Sequence, residues 1–365
     1  MTRLKDEKYM RLALDLARKG EGRTHPNPMV GAVIVSSGKI IGQGYHSKAG
    51  LSHAEVVAMK NSKVSLKGAV MFVTLEPCDH YGRTPPCTEA IINSGIKKVY
   101  VAMADPNPLN SGKGIRKLKR SGINVNVGLC EAESRFLNRA YVKFISSGMP
   151  YVTVKLAQSL DGKIAARDGT SKWISSLESR RYVKKIRSRV DAVMVGINTV
   201  LNDDPTLKAQ KRSGKKVVRI VLDSKLRTPE RSRLVETADS LPLILATTSE
   251  APSKKIKSLS RKNGVEVIVA KADKGKVGLK DLFRDLAKRG IVSILSEGGG
   301  ELAGSLFDGK FASEVIFFVA PKILGGKKVS VAGQGASNIS DAIILRDKEV
   351  FTSGGDVVVR AKVGK

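Results

Sequence analysis

The sequence predicts two α/β domains that meet near residue 148. Three observations support this fold class: a length of 365 residues, an alternation of apolar runs with amphipathic segments, and a break at residues 146–150. At about 100–200 residues per domain, this length favours two domains. The break contains Gly148 and Pro150, and both residue types commonly follow the end of a helix. We therefore expect domains at 1–148 and 149–365.

The first domain is predicted to be a three-layer α/β/α structure. An amphipathic pattern that stops at Gly20 predicts an N-terminal helix. Two apolar runs around a Ser-Ser-Gly turn predict a hairpin, and helices alternate with strands after it. The predicted helices cover 7–18, 54–62, 86–94, 113–121 and 131–147, and the predicted strands cover 30–35, 40–45, 69–75, 97–103 and 123–127.

The second domain is predicted to consist of parallel βα units around a mostly buried sheet. A Gly-x-Gly-x-x-Gly motif with a later acidic residue is not evident, which disfavours a Rossmann fold. The predicted strands cover 151–157, 190–195, 217–222, 242–246, 265–269, 291–295, 314–319 and 356–361, and the predicted helices cover 176–188, 279–288 and 301–308.

The composition favours a cytoplasmic enzyme. No apolar run approaches the roughly 18 residues of a transmembrane helix, and the charged segment at 1–8 lacks the apolar core of a secretory signal. Three cysteines, a small and odd number, argue against a disulfide scaffold. We expect no membrane partner, and we expect a homo-oligomer.

The net charge is strongly positive. The chain has 64 Lys and Arg residues against 34 Asp and Glu residues, which gives a formal charge of +30. Such a field attracts nucleic acid or anionic small molecules. Aromatic residues make up only 5% of the chain, so the stacking platforms that bind single strands are sparse. We therefore expect phosphorylated small molecules rather than nucleic acid as the partners.

A His-x-Glu motif followed by two cysteines predicts a metal site. His53, Cys78 and Cys87 supply the nitrogen and sulfur ligands that zinc prefers, and three protein ligands leave one position open. Glu55 lies at a predicted helix start, where it can transfer protons without binding the metal. This combination is the signature of zinc deaminases. We predict Zn²⁺ at these three ligands and Glu55 as the catalytic residue, whereas Cys130 is predicted to be structural.

Five segments of the first domain, at 24–35, 44–46, 53–55, 74–87 and 104–108, resemble the deaminase half of the bacterial bifunctional riboflavin-biosynthesis deaminase/reductases. The resemblance implies a cytidine-deaminase-like fold. It also implies hydrolytic removal of the amine from a diaminopyrimidinone that carries ribose 5-phosphate, 2,5-diamino-6-hydroxy-4-(5-phosphoribosylamino)pyrimidine. The substrate contacts that it implies are Asn27, His46 and Arg83.

The spacing of the two cysteines bears on the substrate. Nucleoside and nucleic-acid deaminases of this superfamily carry Pro-Cys-x-x-Cys, whereas eight residues separate Cys78 from Cys87 here. A loop of this length beside the metal can contact the substrate. Arg83 within it is a suitable phosphate ligand. His80 is a further nitrogen donor, but three ligands already suffice.

Segments of the second domain, at 155–166, 171–175, 195–207, 297–306 and 320–326, resemble the reductase half of the same family, which is dihydrofolate-reductase-like. The resemblance implies NADPH as the hydride donor and reduction of the ribosyl chain to ribityl. The implied NADPH contacts are Ala157, Trp173, Thr199, Asp203, Ser224, Gly299, Gly300 and Ser305. The implied substrate contacts are Ser171, Arg187, Leu207 and Glu297.

One position departs from the family pattern. After Leu207 the family usually shows Thr-x-Arg, whereas this chain has Lys208, Ala209 and Gln210. A glutamine cannot replace the charge of an arginine that binds phosphate. The nearby Lys208, or Lys211 and Arg212, can compensate, so recognition of the substrate phosphate in the second domain stays open.

The leading hypothesis is thus a bifunctional enzyme that deaminates and then reduces successive pyrimidine intermediates of riboflavin synthesis. An alternative is a nucleic-acid base deaminase with an RNA-binding basic surface. The long segment between the cysteines and the reductase-like second half disfavour it. A third hypothesis is a non-catalytic module that zinc stabilises, which would release no product.

Overall fold

The computed structural model describes residues 3–81, 85–210 and 216–364. The chain divides into two compact units, Met1–Gly148 and Met149–Lys365, and each unit is described by itself. Within the described residues, none of the helices combines the length and the apolar character that a membrane crossing requires.

The first unit is built on a five-stranded sheet with the order β2-β1-β3-β4-β5. The pairs β1–β2 and β1–β3 are antiparallel, and β3, β4 and β5 are parallel. The elements are α1 (Arg3–Arg18), β1 (Gly31–Ser36), β2 (Lys39–Tyr45), α2 (Ala54–Lys60), β3 (Val70–Val73), α3 (Cys87–Asn93), β4 (Lys98–Val101), α4 (Lys113–Arg120), β5 (Asn124–Val127), α5 (Glu131–Leu137) and α6 (Arg139–Ser147).

Helices cover both faces of this sheet, which confirms the three-layer prediction. Alternate residues of a strand point to opposite faces. Ile34 of β1 belongs to a buried cluster with residues of α2, α3 and α4. The adjacent Val33 packs with Tyr9 and Met10 of α1 instead. The sheet is therefore buried on both sides.

The prediction of one helix over 131–147 is wrong. The segment forms two helices, α5 and α6, which meet at Asn138. The Asn138 side chain accepts the N–H of Met29 at 2.8 Å and donates to the Met29 carbonyl at 3.0 Å. This pairing with a distant backbone segment fixes Asn138 outside the helical conformation, with φ −96° and ψ 18°. The apolar periodicity on either side does not reveal the break.

The second unit is built on a nine-stranded sheet with the order β10-β9-β8-β7-β13-β6-β14-β16-β15. Its elements are β6 (Tyr151–Ser159), α7 (Leu177–Arg187), β7 (Ala192–Gly196), α8 (Ile197–Asp203), β8 (Val218–Leu222), α9 (Arg233–Glu236), β9 (Leu243–Thr247), α10 (Ser253–Ser260), β10 (Val265–Val269), β11 (Ala272–Asp273), β12 (Lys276–Val277), α11 (Leu279–Lys288), β13 (Ser293–Ser296), α12 (Gly300–Asp308), β14 (Ala312–Ala320), β15 (Leu345–Ser353) and β16 (Asp356–Val363).

The sheet of the second unit is only partly parallel. The seven strands from β10 to β14 are parallel, as predicted, but at one edge β16 pairs antiparallel with both β14 and β15. The prediction missed β15 because its exposed, charged residues lack the apolar signal of a buried strand. It also missed the short helices α8, α9 and α10 and the two-residue strands β11 and β12.

Close backbone packing sets the position of α2 in the first unit. A Cβ atom at Gly44 of β2 would lie 2.5 Å from the Ala58 nitrogen and 2.6 Å from the Ala54 oxygen, and one at Gly42 would lie 2.3 Å from the Ala58 oxygen. Any larger residue on β2 at these positions would push the helix away. The two glycines therefore allow α2 to lie directly on the sheet.

Candidate active sites

The three predicted metal ligands converge in the first unit. His53 immediately precedes α2, Cys87 is the first residue of α3, and Cys78 lies in the loop after β3. Their ligand atoms all lie within 4.8 Å of one another. His53 Nδ1 is 3.2 Å from Cys87 Sγ and 3.4 Å from Cys78 Sγ. One imidazole and two thiols in this arrangement fit the donor set of a catalytic zinc site.

The two thiols of the cluster differ in acidity, because the hydrogen bond with Cys78 and burial raise the pKa of Cys87. Hydrogen bonding from Cys87 lowers the pKa of the Cys78 thiol to about 4, although burial acts in the opposite direction. The backbone N–H of Cys87 donates to Cys78 Sγ at 3.3 Å. Metal ligation requires the thiolate. Cys78 is therefore prepared to bind zinc at neutral pH.

Glu55 lies beside this cluster as the second residue of α2. It is only 3% exposed, and burial raises its pKa to about 7. A carboxyl group with a pKa near the working pH can both accept and return a proton. Glu55 lines the same cavity as His53 and Cys78, so its position suits proton transfer there.

The cavity at the cluster has a volume of about 290 Å³, and Asn27 and His46 line it as predicted. Burial lowers the pKa of His46, which keeps the ring neutral. His46 Nδ1 lies 3.2 Å from the Ser52 carbonyl, and a carbonyl can only accept. Nε2 therefore accepts from Asn27 Nδ2 at 3.3 Å. The predicted contact Arg83 lies outside the described residues.

The same cavity contains residues that the sequence motifs did not single out. Asp105, Asn107 and Tyr141 line it together with Glu76. The Tyr141 hydroxyl donates to Asp105 Oδ1 at 2.8 Å, and burial raises the pKa of Asp105. Glu76 accepts the N–H of Asp105 at 3.0 Å and so fixes this segment. The matched segments 74–87 and 104–108 contain Glu76, Asp105 and Asn107, whereas Tyr141 lies outside the matched segments.

The second unit has a larger cleft of about 1180 Å³. It lies at the carboxyl ends of the parallel strands β6, β7, β8 and β13, the usual place for ligands in such sheets. All twelve residues predicted to bind NADPH or substrate in this unit line the cleft: Ala157, Ser171, Trp173, Arg187, Thr199, Asp203, Leu207, Ser224, Glu297, Gly299, Gly300 and Ser305.

A buried ion-pair cluster is part of the lining of this cleft. Arg187 Nε lies 2.5 Å from Glu297 Oε1, and its second nitrogen donates to Oε2 at 3.0 Å. Lys155 Nζ lies 3.8 Å from Glu297 Oε2. Burial acts to raise the pKa of Glu297, but Arg187 outweighs it and holds that pKa below its usual range. Burial lowers the pKa of Lys155, and Glu297 acts against that shift. Lys155 is a residue that the motifs did not single out.

The cleft fits a phosphorylated dinucleotide. It is lined by the first turn of α12, where backbone N–H groups suit phosphate. The Arg180 guanidinium lies over the Trp173 ring, 4.3 Å from its centre. The Trp173 side chain is nevertheless 63% exposed, so part of it is available for stacking. The lining also contains several cationic side chains: Lys172, Lys184, Lys225, Arg227, Arg233, Lys276, Lys327 and Lys328.

Gln210 lies beside α7 and is not among the residues that line the cleft. Its N–H donates to the Lys184 carbonyl at 3.0 Å, and the Lys208 carbonyl accepts from Arg187 at 3.1 Å. Lys184 lines the cleft, whereas the remaining candidates at 211 and 212 lie outside the described residues.

Two family models match the chain. The model of the cytidine and deoxycytidylate deaminase zinc-binding region matches residues 3–103, and the model of the RibD C-terminal domain matches residues 150–359. The riboflavin biosynthesis protein RibD of Aquifex aeolicus is 44% identical over 360 residues, which cover 98% of this chain and 99% of that protein. The chain belongs to the RibD family. The RibD protein of Escherichia coli is 38% identical over 368 residues and covers 97% of this chain.

Solved structures of the RibD family share the whole fold. Acinetobacter baumannii RibD has a TM-score of 0.87 at 34% identity, with full coverage of both chains. The Thermotoga maritima diaminohydroxyphosphoribosylaminopyrimidine deaminase/5-amino-6-(5-phosphoribosylamino)uracil reductase also has a TM-score of 0.87, at 36% identity and 99% coverage of both chains. The predicted α/β fold class is confirmed.

The chain is a bifunctional riboflavin-biosynthesis enzyme with a deaminase and a reductase, which confirms the leading hypothesis. Its cofactors are Zn²⁺, for the deaminase, and NADPH, for the reductase. A nucleic-acid base deaminase is not favoured, because RibD relatives match both halves of the chain. The roles of the individual site residues stay predictions.

The three cysteines allow a direct test of the ligand set. Cys78→Ser and Cys87→Ser are expected to bind zinc at least about 100-fold more weakly than the parent chain, because each removes a thiolate ligand. Cys130→Ser, the matched control, is expected to retain about one zinc per chain. Zinc content is measured after dialysis, and zinc affinity is measured by competition with a chromogenic chelator. Full zinc content in either of the first two variants would contradict the assignment.

Proposed function

We propose that the first unit, as a domain at 1–148, hydrolytically deaminates 2,5-diamino-6-hydroxy-4-(5-phosphoribosylamino)pyrimidine. The second unit, at 149–365, then reduces the ribosyl chain of the product to ribityl with NADPH. The observation that carries the proposal is the convergence of His53, Cys78 and Cys87, whose ligand atoms lie within 4.8 Å of one another, beside a cavity that Glu55 also lines. The substrate named for the Thermotoga maritima structure and the net charge of +30, which suits phosphorylated ligands, support it.

In the deaminase, His53, Cys78 and Cys87 would hold the zinc ion, which would supply the Lewis acidity that activates water at neutral pH. The Glu55 carboxylate takes a proton from the attacking water and delivers it to the departing amine nitrogen. The ring carbon gains a bond to oxygen, loses its bond to nitrogen, and ammonia leaves. Asn27 and His46 position the pyrimidine through hydrogen bonds.

In the reductase, NADPH supplies the hydride, and the protein orients it. The contacts proposed for NADPH are Ala157, Trp173, Thr199, Asp203, Ser224, Gly299, Gly300 and Ser305. The contacts proposed for the substrate are Ser171, Arg187, Leu207 and Glu297, and we add Lys155. Glu297 holds Arg187 by two hydrogen bonds, so the guanidinium is fixed before the substrate binds.

The same chemistry bears on the cellular compartment and on the small-molecule partners of the enzyme. We place both reactions in the cytoplasm, where free cysteine ligands stay reduced. Phosphoribosyl pyrimidines are the proposed small-molecule partners. A homo-oligomer stays a prediction.

A coupled assay tests the two activities together. The purified full chain with the phosphoribosyl diaminopyrimidine is expected to release ammonia without NADPH and to oxidise NADPH only after that release. Ammonia is measured by an enzyme-linked assay, and NADPH by its absorbance. Ammonia release without any NADPH oxidation would contradict the proposed reductase reaction, and the absence of both would contradict the whole proposal.

Glu55→Gln tests the proton-transfer step. The variant keeps the shape of the side chain but cannot carry the proton, so ammonia release is expected to fall by about 10²–10⁴-fold. Zinc content is expected to stay unchanged. Glu89→Gln is the control, because Glu89 pairs with Tyr81 and Lys117. If Glu55→Gln retains normal ammonia release, Glu55 is not the proton carrier.

A further inference from the structure

A segment with few buried residues forms one wall of the reductase cleft. Residues 322–332, here called the strap, follow β14 and contribute Lys327, Lys328, Val329 and Ala332 to the lining. Within the strap, Ser330 is the one buried residue. The strap therefore has no apolar core of its own, and hydrogen bonds to its neighbours must hold it in place.

The strap lies directly on α12. A Cβ atom at Gly304 would lie 1.1 Å from the Ala332 oxygen, and one at Gly300 would lie 2.4 Å from the Val329 oxygen. The Ala332 N–H donates to the Gly300 carbonyl at 3.0 Å. Because Gly300 is a proposed NADPH contact, any displacement of the strap changes the surroundings of that contact.

One carboxylate makes two of the bonds that hold the strap. Asp161, in the turn after β6, accepts the N–H of Leu324 at 3.1 Å and the N–H of Gly325 at 2.7 Å, one on each oxygen. The Ser159 hydroxyl donates to Oδ1 at 2.5 Å. Hydrogen bonds from Ser159 and Leu324 lower the pKa of Asp161 to about 2. The bonds are therefore charge-assisted at neutral pH.

The other bonds between this turn and the strap run from backbone to backbone, and they include one from the Ser330 N–H to the Gly162 carbonyl at 3.0 Å and an isolated bridge between Lys163 and Val329. Leu160 N–H donates to the Lys322 carbonyl at 2.8 Å, and Ile164 N–H donates to the Lys328 carbonyl at 2.9 Å. A side-chain substitution does not remove these bonds. Lys322, the first residue of the strap, also donates from Nζ to the Trp173 carbonyl at 2.9 Å. The strap thus connects the Asp161 turn with α12 and with Trp173, two proposed parts of the NADPH site.

We propose that Asp161 is a positioning residue of the reductase: its carboxylate fixes the strap against α12 and thereby sets the affinity for NADPH. The inference rests on the proposed function of the second unit, because it takes α12 and Trp173 as parts of the NADPH site. Asp161 acts through the backbone of Leu324 and Gly325 and not by contact with either ligand.

Asp161→Asn tests the proposal, because the amide nitrogen that replaces one oxygen cannot accept an N–H. The Kd of this variant for NADPH is expected to rise about tenfold, and its KM for NADPH is expected to rise as well. The fluorescence of Trp173 reports the binding. The kcat of reduction is expected to stay within about twofold. Asp308→Asn is the matched control, since Asp308 accepts the N–H of Gln334 just beyond the strap. It is expected to leave Kd within about twofold.

Hydrogen exchange on the unliganded full chain gives a readout independent of activity. Peptides that cover 322–332 are expected to exchange faster in Asp161→Asn but not in Asp308→Asn, while ammonia release stays unchanged in both. Asp161→Glu keeps the charge and is expected to raise Kd about threefold, which preserves the test if the asparagine variant fails to fold.

The outcomes separate the two claims. If the parent chain binds no NADPH, the proposed reductase function is wrong, and the inference is overturned with it. If the parent binds NADPH but Asp161→Asn binds it equally well, or loses kcat at an unchanged Kd, the inference alone is overturned. Unchanged exchange of the strap in that variant also overturns it.

Discussion

Each active site is organised around a buried glutamate, and the neighbours of that glutamate decide what it can do. Glu55 and Glu297 are both almost inaccessible to solvent, and burial acts to raise the pKa of each. Glu297 pairs with Arg187 and Lys155 and stays ionised. Among the described residues, no ion pair with Lys or Arg holds Glu55 in its ionised form. One carboxyl group therefore suits proton transfer, and the other serves as a fixed anion that positions the Arg187 guanidinium and the Lys155 amine.

The sequence allowed a zinc site to be predicted because the chemistry of such a site requires particular residue types at particular spacings. His53, Cys78 and Cys87 are recognisable together, although none of them is informative alone. The α/β elements around them were predicted for a similar reason, since buried strands such as β1 and β3 are short runs of apolar residues. The packing of α2 on Gly42 and Gly44 then brings His53 and Glu55 to the cavity.

What the sequence did not predict depends on contacts between distant segments. The break at Asn138 exists because its side chain pairs with Met29, 109 residues away. Asp105 and Lys155 lie in matched segments, but their residue types are not diagnostic of a function, and their contacts within the sites depend on the fold. The exposed strand β15 has no apolar pattern because neither of its faces is deeply buried.

The central claim is that three protein ligands hold a zinc ion with one position left open in the deaminase. X-ray absorption at the zinc edge of the purified full chain measures the ligand set directly. Two sulfur ligands at about 2.3 Å, one imidazole nitrogen at about 2.0–2.1 Å and one further light atom are expected. A third sulfur ligand, or a second imidazole from a residue such as His80, would contradict the account.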